Sequence, residues 1–490
     1  MTDYLIDYLR GREASAAISM TVLLTQIPMP DLSINFAGIK SPNPFWLASA
    51  PPTNSGYQIM KAFDAGWGGA VWKTLGVPVV NVSSRYGGVN YRDKRLVGFN
   101  NIELISDRPL ADNLREIEEV KKRFPNHAVI ASLMVQTRQE WHDIVLQSQD
   151  AGADGFELNF GCPHGMCERG MGSAVGQEPK VLQMIVEWVM EVATKPVIVK
   201  LTPNISDITE PALAARRGGA DAISLINTIQ SIVGVDLDRF APYPIVDGKG
   251  TNGGYCGPAV KPIALNMVKN CAQHPDINLP ISGIGGIETW RDAVEHILLG
   301  ASSVQVCTAA MHYGFGIIRE MTSGLEQYMV DKGFNTIYDM VGKALPNVLH
   351  WQDLNMKYKV TANIHAEKCI GCQLCYTACE DGAHQAIRLN AGTRVPEIIE
   401  ENCVGCNLCS LVCPVEECIT MDRTDDGTQH LTWKERTEAG TAPTAFNDEK
   451  AGGRHHWVPE PSAALGKERH KTLPGKARVY AGETEAPAEA

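Results

Sequence analysis

The sequence predicts an α/β protein: a (β/α)8 barrel across most of the chain, then a small cysteine-rich module and a polar tail. Three observations carry that expectation. Between residues 31 and 330, eight short apolar runs alternate with amphipathic stretches of helical period. A small-residue punctuation, Ala-Gly-Ala-Asp at 151–154, Gly-Gly-Ala-Asp at 218–221 and Leu-Gly-Ala-Ser at 299–302, recurs where a helix ends and a strand begins. Eight of the 14 cysteines fall into two runs of identical spacing.

The bulk numbers agree with that outline. A chain of 490 residues exceeds one ordinary domain, and 44% hydrophobic content supports a sizeable core. A net charge of −12 argues against nucleic-acid binding, which needs clustered lysine and arginine. No run of 18 apolar residues suggests a membrane span, and the N-terminus, with Asp3 and Asp7, does not read as a signal peptide. The expected compartment is therefore cytoplasmic, where structural disulfides are disfavoured and the cysteines need another explanation.

The barrel strands are expected at Phe45–Ala50, Ala70–Leu75, Ala128–Met134, Gly155–Phe160, Val197–Leu201, Ala222–Asn227, Leu279–Ser282 and Ser303–Cys307. Several are near-continuous apolar runs, as strands covered on one face and packed inside on the other should be. Pro179–Thr194 and Thr209–Gly218 read as helices between them. A doubly wound sheet would place a glycine fingerprint after the first strand, and none follows Phe45–Ala50. The expected organisation is an N-terminal extension over 1–30, the barrel over 31–345, a linker over 346–359, the cysteine module over 360–425 and a flexible polar tail over 426–490. His455 and His456 in that tail are a weak hint of metal binding.

Cys369, Cys372, Cys375 and Cys379 form the first cysteine run, and Cys403, Cys406, Cys409 and Cys413 the second, followed by Pro414. Each is C-x2-C-x2-C-x3-C. Three thiolates at this spacing wrap one iron–sulfur cube, and the fourth reaches the other cube. The predicted sets are Cys369, Cys372, Cys375 with Cys413, and Cys379 with Cys403, Cys406, Cys409. Structural zinc is the competing reading, but zinc sites usually pair two dyads. Glu380 stands where proline is commonest, and Cys418 reads as a spare thiol. The module is thus a bacterial-type 2[4Fe-4S] ferredoxin-like domain. Two linked clusters make a wire, which requires a source and a sink of electrons.

Chemistry in a barrel sits at the C-terminal ends of its strands. Those ends carry Ser49, Lys73, Thr74, Asn159, Lys200, Asn227, Thr228, Gly285, Gly286, Cys307 and Thr308. Polar and small residues there point to one shared pocket for a polar, anionic ligand. Backbone N–H groups of the last two loops can hold a phosphate. A flavin mononucleotide (FMN) fits that pocket and the one-electron wire, because a flavin collects electrons singly and releases them in pairs. The glycine-rich segment from Gly161 to Gly172 reads as a loop able to act as a lid, with Cys162 as proton donor and Cys167 and His164 as weaker candidates.

With these residues in view, the chain resembles the dihydropyrimidine dehydrogenases over residues 31–425. The resemblance rests on Asn101-Ile102-Glu103-Leu104-Ile105, on Glu157-Leu158-Asn159 followed by Cys162-Pro163-His164-Gly165-Met166 and Glu168-Arg169-Gly170-Met171-Gly172, on Val199-Lys200-Leu201-Thr202-Pro203, on Asn227-Thr228, on Gly253 to Gly257, and on the cluster runs. It is similar to the bacterial catalytic-subunit form. The resemblance implies that Cys162 protonates C5 of uracil or thymine while hydride from FMN reaches C6. It implies that Asn101, Asn159, Gly161, Asn227 and Thr228 hold the ring. Ser49, Lys73, Thr74, Lys200, Gly257, Gly285, Gly286, Cys307 and Thr308 would hold FMN, with Lys73 or Lys200 stabilising its anionic reduced form. Gly161 departs from a family serine, and Cys167 from a glycine. The sequence shows no convincing dinucleotide fingerprint, so the resemblance also implies a partner subunit. That partner would be a flavin adenine dinucleotide protein that oxidises NADH or NADPH, in a heterotetramer. A related enzyme acting on dihydroorotate and a purely electron-transferring subunit are the alternatives.

Overall fold

The computed structural model describes residues 29–441, apart from 81, 93, 356–357, 391 and 425–430. The N-terminal extension up to residue 28, most of the tail with His455 and His456, and the side chain of Cys167 lie outside the described residues. The chain forms two compact units, Met1–Val348 and Leu349–Ala490.

In the first unit, eight parallel strands close into a barrel: β1 (Phe45–Leu47), β2 (Gly69–Val71), β3 (Ala128–Leu133), β4 (Gly155–Asn159), β5 (Val197–Lys200), β6 (Ala222–Leu225), β7 (Ile281–Ile284) and β8 (Ala301–Val306). Pairing runs in sequence order around the ring, and β8 closes it against β1 through Val304–Phe45, Gln305–Trp46 and Val306–Leu47. All eight are buried along their length, which is why they read as apolar runs. The expected helices are present as Pro179–Met190 and Thr209–Arg217.

The small-residue punctuation has the expected geometry. Gly152, Gly219 and Gly300 have φ of +92°, +95° and +113°, just past helix ends. The aspartates of the first two copies have a further role that repeats. Asp154 accepts from the Val129 N–H and Asp221 from the Val197 N–H, each at 2.8 Å, tying one strand's entry to the start of the strand before it.

A feature absent from the strand reading is a four-stranded antiparallel sheet built from two excursions. The loop after β2 supplies Tyr86–Tyr91 and Lys94–Asn101, and the loop after β6 supplies Ile229–Ser231 and Gly253–Cys256. Gly254 opposite Asn101 joins the two excursions. Both leave from strand C-terminal ends, so the sheet stands at the mouth of the barrel.

The second unit is organised around two antiparallel strands, Lys359–Ile364 and Ile419–Thr424, paired end to end. A hairpin (Ile387–Leu389 and Pro396–Ile398) and helices Leu374–Gly382 and Leu408–Leu411 complete it. The two cysteine runs repeat each other in backbone as well as sequence. Gly371 and Gly405 have φ of +65° and +68°, and Gln373 and Asn407 have φ of +64° and +68°. Among the described residues no helix is long and apolar enough to cross a membrane.

The positive φ at Gly300 coincides with close packing on Ala272, whereas Gly333 is left-handed but faces open space. Gly300→Ala is expected to destabilise the barrel by roughly 2–3 kcal/mol, and Gly333→Ala by about 1 kcal/mol. Urea unfolding of the barrel transition for both variants checks the order.

Candidate active site

The strand ends and the covering sheet line a cavity of about 150 Å³ that opens to solvent. It is lined by Ser49, Lys73, Thr74, Asn159, Lys200, Asn227, Thr228, Gly285, Gly286, Cys307 and Thr308 from the barrel rim, by Cys162 from the loop after β4, and by Asn101 and Gly257 from the sheet. Of the residues singled out for the pocket whose side chains are described, all reach it except Gly161. Gly161 donates its N–H to Asn159 Oδ1 at 3.3 Å and packs on Asn227, where a Cβ would collide with the amide side chain. A serine at 161 would need Asn227 to move.

The amides form an oriented relay. Asn227 Nδ2 donates to Asn159 Oδ1 (3.0 Å), and Asn159 Nδ2 donates to Thr74 Oγ1 (2.9 Å). Thr74 lies 3.1 Å from Ser49 Oγ and 2.9 Å from Ser132 Oγ. Asn227 Oδ1 accepts from the Thr228 N–H at 2.7 Å. On the sheet, Asn101 Nδ2 donates to the Gly254 carbonyl and Asn101 Oδ1 accepts from the Glu103 N–H. These bonds fix which end of each amide faces which way.

Charge is matched within the wall. Lys73 Nζ pairs with Glu103 at 2.7 Å, and Tyr86 donates its hydroxyl to the same carboxylate at 2.9 Å. Burial and the Glu103 charge push the Tyr86 phenol well above its usual range, so it remains a donor. Lys200 Nζ lies 3.3 Å from Glu157, which is fully buried inside the barrel. Sequence reasoning assigned no role to Glu157 or Tyr86 and quoted Glu103 only within a motif. The available signal was an acidic residue inside an otherwise apolar strand, Gly155–Asn159.

Three cysteines line the cavity in different settings. Cys256 accepts from Thr308 Oγ1 and burial pushes its thiol up to about 11. Burial raises Cys307 to about 12. Both thiols are therefore hard to ionise. Cys162 sits at the start of the glycine-rich loop, half-buried, with its thiol 3.4 Å from the His164 carbonyl as a donor. The loop is not a loose flap. Met166 and Met171 pack with Ile105 and Met134 in an apolar cluster that also touches Cys162. Gly172, at φ +58°, lets the returning chain press against the Cys162 backbone. His164 is buried, which pushes its imidazole below the ordinary range, and its Nε2 faces the Glu103 carbonyl at 2.9 Å. A ring nitrogen facing a carbonyl must carry the proton, so Nδ1 keeps the lone pair.

At the glycine end, Gly285 and Gly286 follow β7 with φ of +124° and +72°, and Cys307 and Thr308 follow the adjacent β8. Gly286 packs so closely on Lys261 that no side chain fits there. His296, fully buried, holds the Gly285 carbonyl at 3.2 Å. Small residues with exposed N–H groups beside the rim lysines fit a phosphate-bearing ring cofactor.

In the second unit, the eight cysteines surround two cavities. One is lined by Cys369, Cys372, Cys375 and Cys413, with Cys418 beside them. The other is lined by Cys379, Cys403, Cys406 and Cys409. Backbone N–H groups of Gly371, Ala386 and Ala362 point at the sulfurs of Cys369, Cys379 and Cys403 at 3.3–3.5 Å. Such N–H groups stabilise thiolates, and four thiolates round one cavity fit a cubane cluster.

A family model described as dihydroorotate dehydrogenase matches residues 31–329, and one described as a 4Fe-4S dicluster domain matches residues 362–421. The NAD-dependent dihydropyrimidine dehydrogenase subunit PreA of Escherichia coli (strain K12) is 46% identical over 387 residues, covering 79% of this chain and 94% of the relative. The chain belongs to the dihydropyrimidine dehydrogenase family. The chloroplastic dihydropyrimidine dehydrogenase (NADP(+)) of Arabidopsis thaliana is 43% identical over 344 residues, 67% of this chain and 80% of the relative. The catalytic subunit of dihydroorotate dehydrogenase B (NAD(+)) from Pyrococcus horikoshii is 38% identical over 322 residues, 64% of this chain and 98% of the relative. Like its family, the chain is an oxidoreductase, with iron–sulfur chemistry in its second unit.

The buried His296 gives the barrel an acid limit. Burial lowers its pKa from 6.5 to about 4. As pH falls below 6.5 the unfolded chain takes up a proton that the folded barrel refuses until about 4. Stability present above 6.5 is thus lost progressively across that window, on the order of 3 kcal/mol in total. In urea unfolding from pH 7 to 4, His296→Gln is expected to flatten this part of the slope.

Proposed function

We propose that this chain is the pyrimidine-reducing subunit of a dihydropyrimidine dehydrogenase, converting uracil or thymine to the 5,6-dihydro form. The observation that carries this reading is that Cys162, Asn101, Asn159, Asn227 and Thr228 share one cavity with the rim residues suited to a flavin. FMN held by these rim residues would supply hydride chemistry at C6, and [4Fe-4S] clusters held by the cysteines of the second unit would supply electrons one at a time.

The chain's own residues do the rest. Asn101, Asn159, Asn227 and Thr228 present donors and acceptors to the ring's carbonyl and N–H groups, in orientations their mutual hydrogen bonds already fix. Cys162, a thiol that donates in the resting site, gives its proton to C5 on the opposite face and regains one from solvent. Ser49, Lys73, Thr74, Lys200, Gly257, Gly285, Gly286, Cys307 and Thr308 hold FMN, and the two lysines favour negative charge on its ring. Cys369, Cys372, Cys375 and Cys413 hold one cluster, and Cys379, Cys403, Cys406 and Cys409 the other. Electrons enter from NADH or NADPH through a partner subunit carrying flavin adenine dinucleotide.

A neutral ring is favoured over dihydroorotate by charge balance. Each lysine lining the cavity already faces a carboxylate, Glu103 or Glu157. A substrate carboxylate would find no lysine in the cavity wall without a carboxylate partner.

Uracil, thymine and dihydroorotate assayed side by side with an artificial donor or acceptor test the substrate; preference for dihydroorotate would overturn the reading. Cys162→Ala is expected to slow uracil turnover about 10²–10⁴-fold at neutral pH while FMN content stays unchanged. Unaltered turnover would remove Cys162 as the acid. Cys413→Ala is expected to disturb the cluster of Cys369, Cys372 and Cys375, read by iron content and electron paramagnetic resonance, with FMN still bound.

A further inference from the structure

The two halves of the second unit match residue by residue well beyond their cysteines. Ala386 stands just before the strand Ile387–Leu389, and Cys418 just before the strand Ile419–Thr424. Three observations make these two positions equivalent. The residue in front of each is left-handed, Gln385 at φ +52° and Glu417 at φ +54°. The carbonyl of each accepts an N–H from the residue that follows the partner strand, Ile399 to Ala386 at 2.8 Å and His365 to Cys418 at 2.9 Å. Each lines one cysteine cavity, Ala386 the one with Cys379 and Cys418 the one with Cys413.

The donors offered to the last cysteine of each run differ. Residues 380–385 separate Cys379 from Ala386, and the Ala386 N–H reaches Cys379 Sγ at 3.3 Å. The connection from Cys413 to Cys418 is two residues shorter, residues 414–417, and the Cys418 N–H turns instead to the Val415 carbonyl at 3.3 Å. The tighter turn therefore diverts the main-chain donor that its counterpart gives to a sulfur. A thiol stands where that donor is missing. Cys418 is buried among the cysteines of its cavity, with its Sγ close enough to hydrogen-bond the sulfurs of Cys413 and Cys369. The His365 carbonyl, the alternative acceptor, is 3.9 Å away, where a hydrogen bond is weak. Ala386 has no side-chain donor to offer.

We infer that Cys418 is a positioning residue for electrons: its S–H donates to the sulfur of Cys413, in place of the N–H that Cys379 receives, and raises the reduction potential of the cluster held by Cys369, Cys372, Cys375 and Cys413. The inference rests on the reading that the eight cysteines hold two [4Fe-4S] clusters. Reduction places more negative charge on a cluster and its ligand sulfurs, and a hydrogen bond to such a sulfur favours the reduced form. Cys418 is not itself a ligand in this account. The two runs already give each cavity four sulfurs, and Cys418 acts through one of them.

The test is a redox titration of the full chain with both clusters in place, read by electron paramagnetic resonance. Cys418→Ala, which copies the residue of the other half, is expected to keep its iron and to lower the midpoint potential of one cluster while the other stays where it was. Cys418→Ser keeps a donor at the same point and is expected to recover much of the lost potential. A midpoint that does not move in iron-replete Cys418→Ala overturns the inference. So does an equal shift of both clusters, or a serine variant that behaves as the alanine one does, since packing alone would then explain the change. Loss of iron from Cys418→Ala also overturns it, by making Cys418 a ligand or a structural prop. Wild-type protein that holds fewer than two clusters defeats the underlying reading; two clusters whose midpoints ignore Cys418 defeat only this role.

Discussion

Closure of the barrel is the constraint from which the site follows. Eight parallel strands paired all the way round bring eight C-terminal ends to one rim. Side chains there are crowded, poorly solvated and drawn from distant parts of the sequence. Positive charge in that setting has to be answered locally. Lys200 is answered from below by Glu157 of the neighbouring strand, and Lys73 by Glu103, two residues past the covering sheet's strand Lys94–Asn101. The two excursions after β2 and β6 thus do more than cover the mouth. They deliver Asn101, Glu103, Tyr86 and Cys256 to a cavity whose floor the barrel has already built.

The same rim gives each cysteine a different character. Cys256 and Cys307 are held by burial and short-range packing, so their thiols are hard to ionise. Cys162 lies on a loop anchored by Met166 and Met171 on one side and by Gly172 on the other. That anchoring places a thiol at the cavity wall without sealing it away from solvent.

Much of this was legible in the sequence, for physical reasons. Strands buried on both faces read as continuous apolar runs, so all eight were found, with errors of a few residues at their ends. Strand ends such as Lys73-Thr74 and Asn227-Thr228 stood out because polar residues there break those runs. The covering sheet was missed because Tyr86–Tyr91 is short, glycine-containing and largely exposed, with no apolar run to mark it. Glu157 and Gln305 drew no notice in the sequence because a polar side chain inside a barrel strand is conspicuous only once its partners are known, and those of Glu157 come from β5, β6 and β8. Gly161 lay next to the right residues in the chain, yet its lack of a side chain serves the packing of Asn227 rather than the cavity wall. The grouping of the cysteines round two cavities matches the spacing, because neighbouring thiols two residues apart have only a short reach.

The crossed lining of the two cysteine cavities reaches beyond geometry. Each half of the module, with its matching Gly371 and Gly405, looks like a copy of the other, yet each cavity borrows one thiol from the opposite copy. Neither copy can be pared away to leave a self-sufficient remainder, since the survivor would hold three sulfurs and a gap. The two halves therefore stand or fall as one unit, whatever their likeness in backbone and sequence.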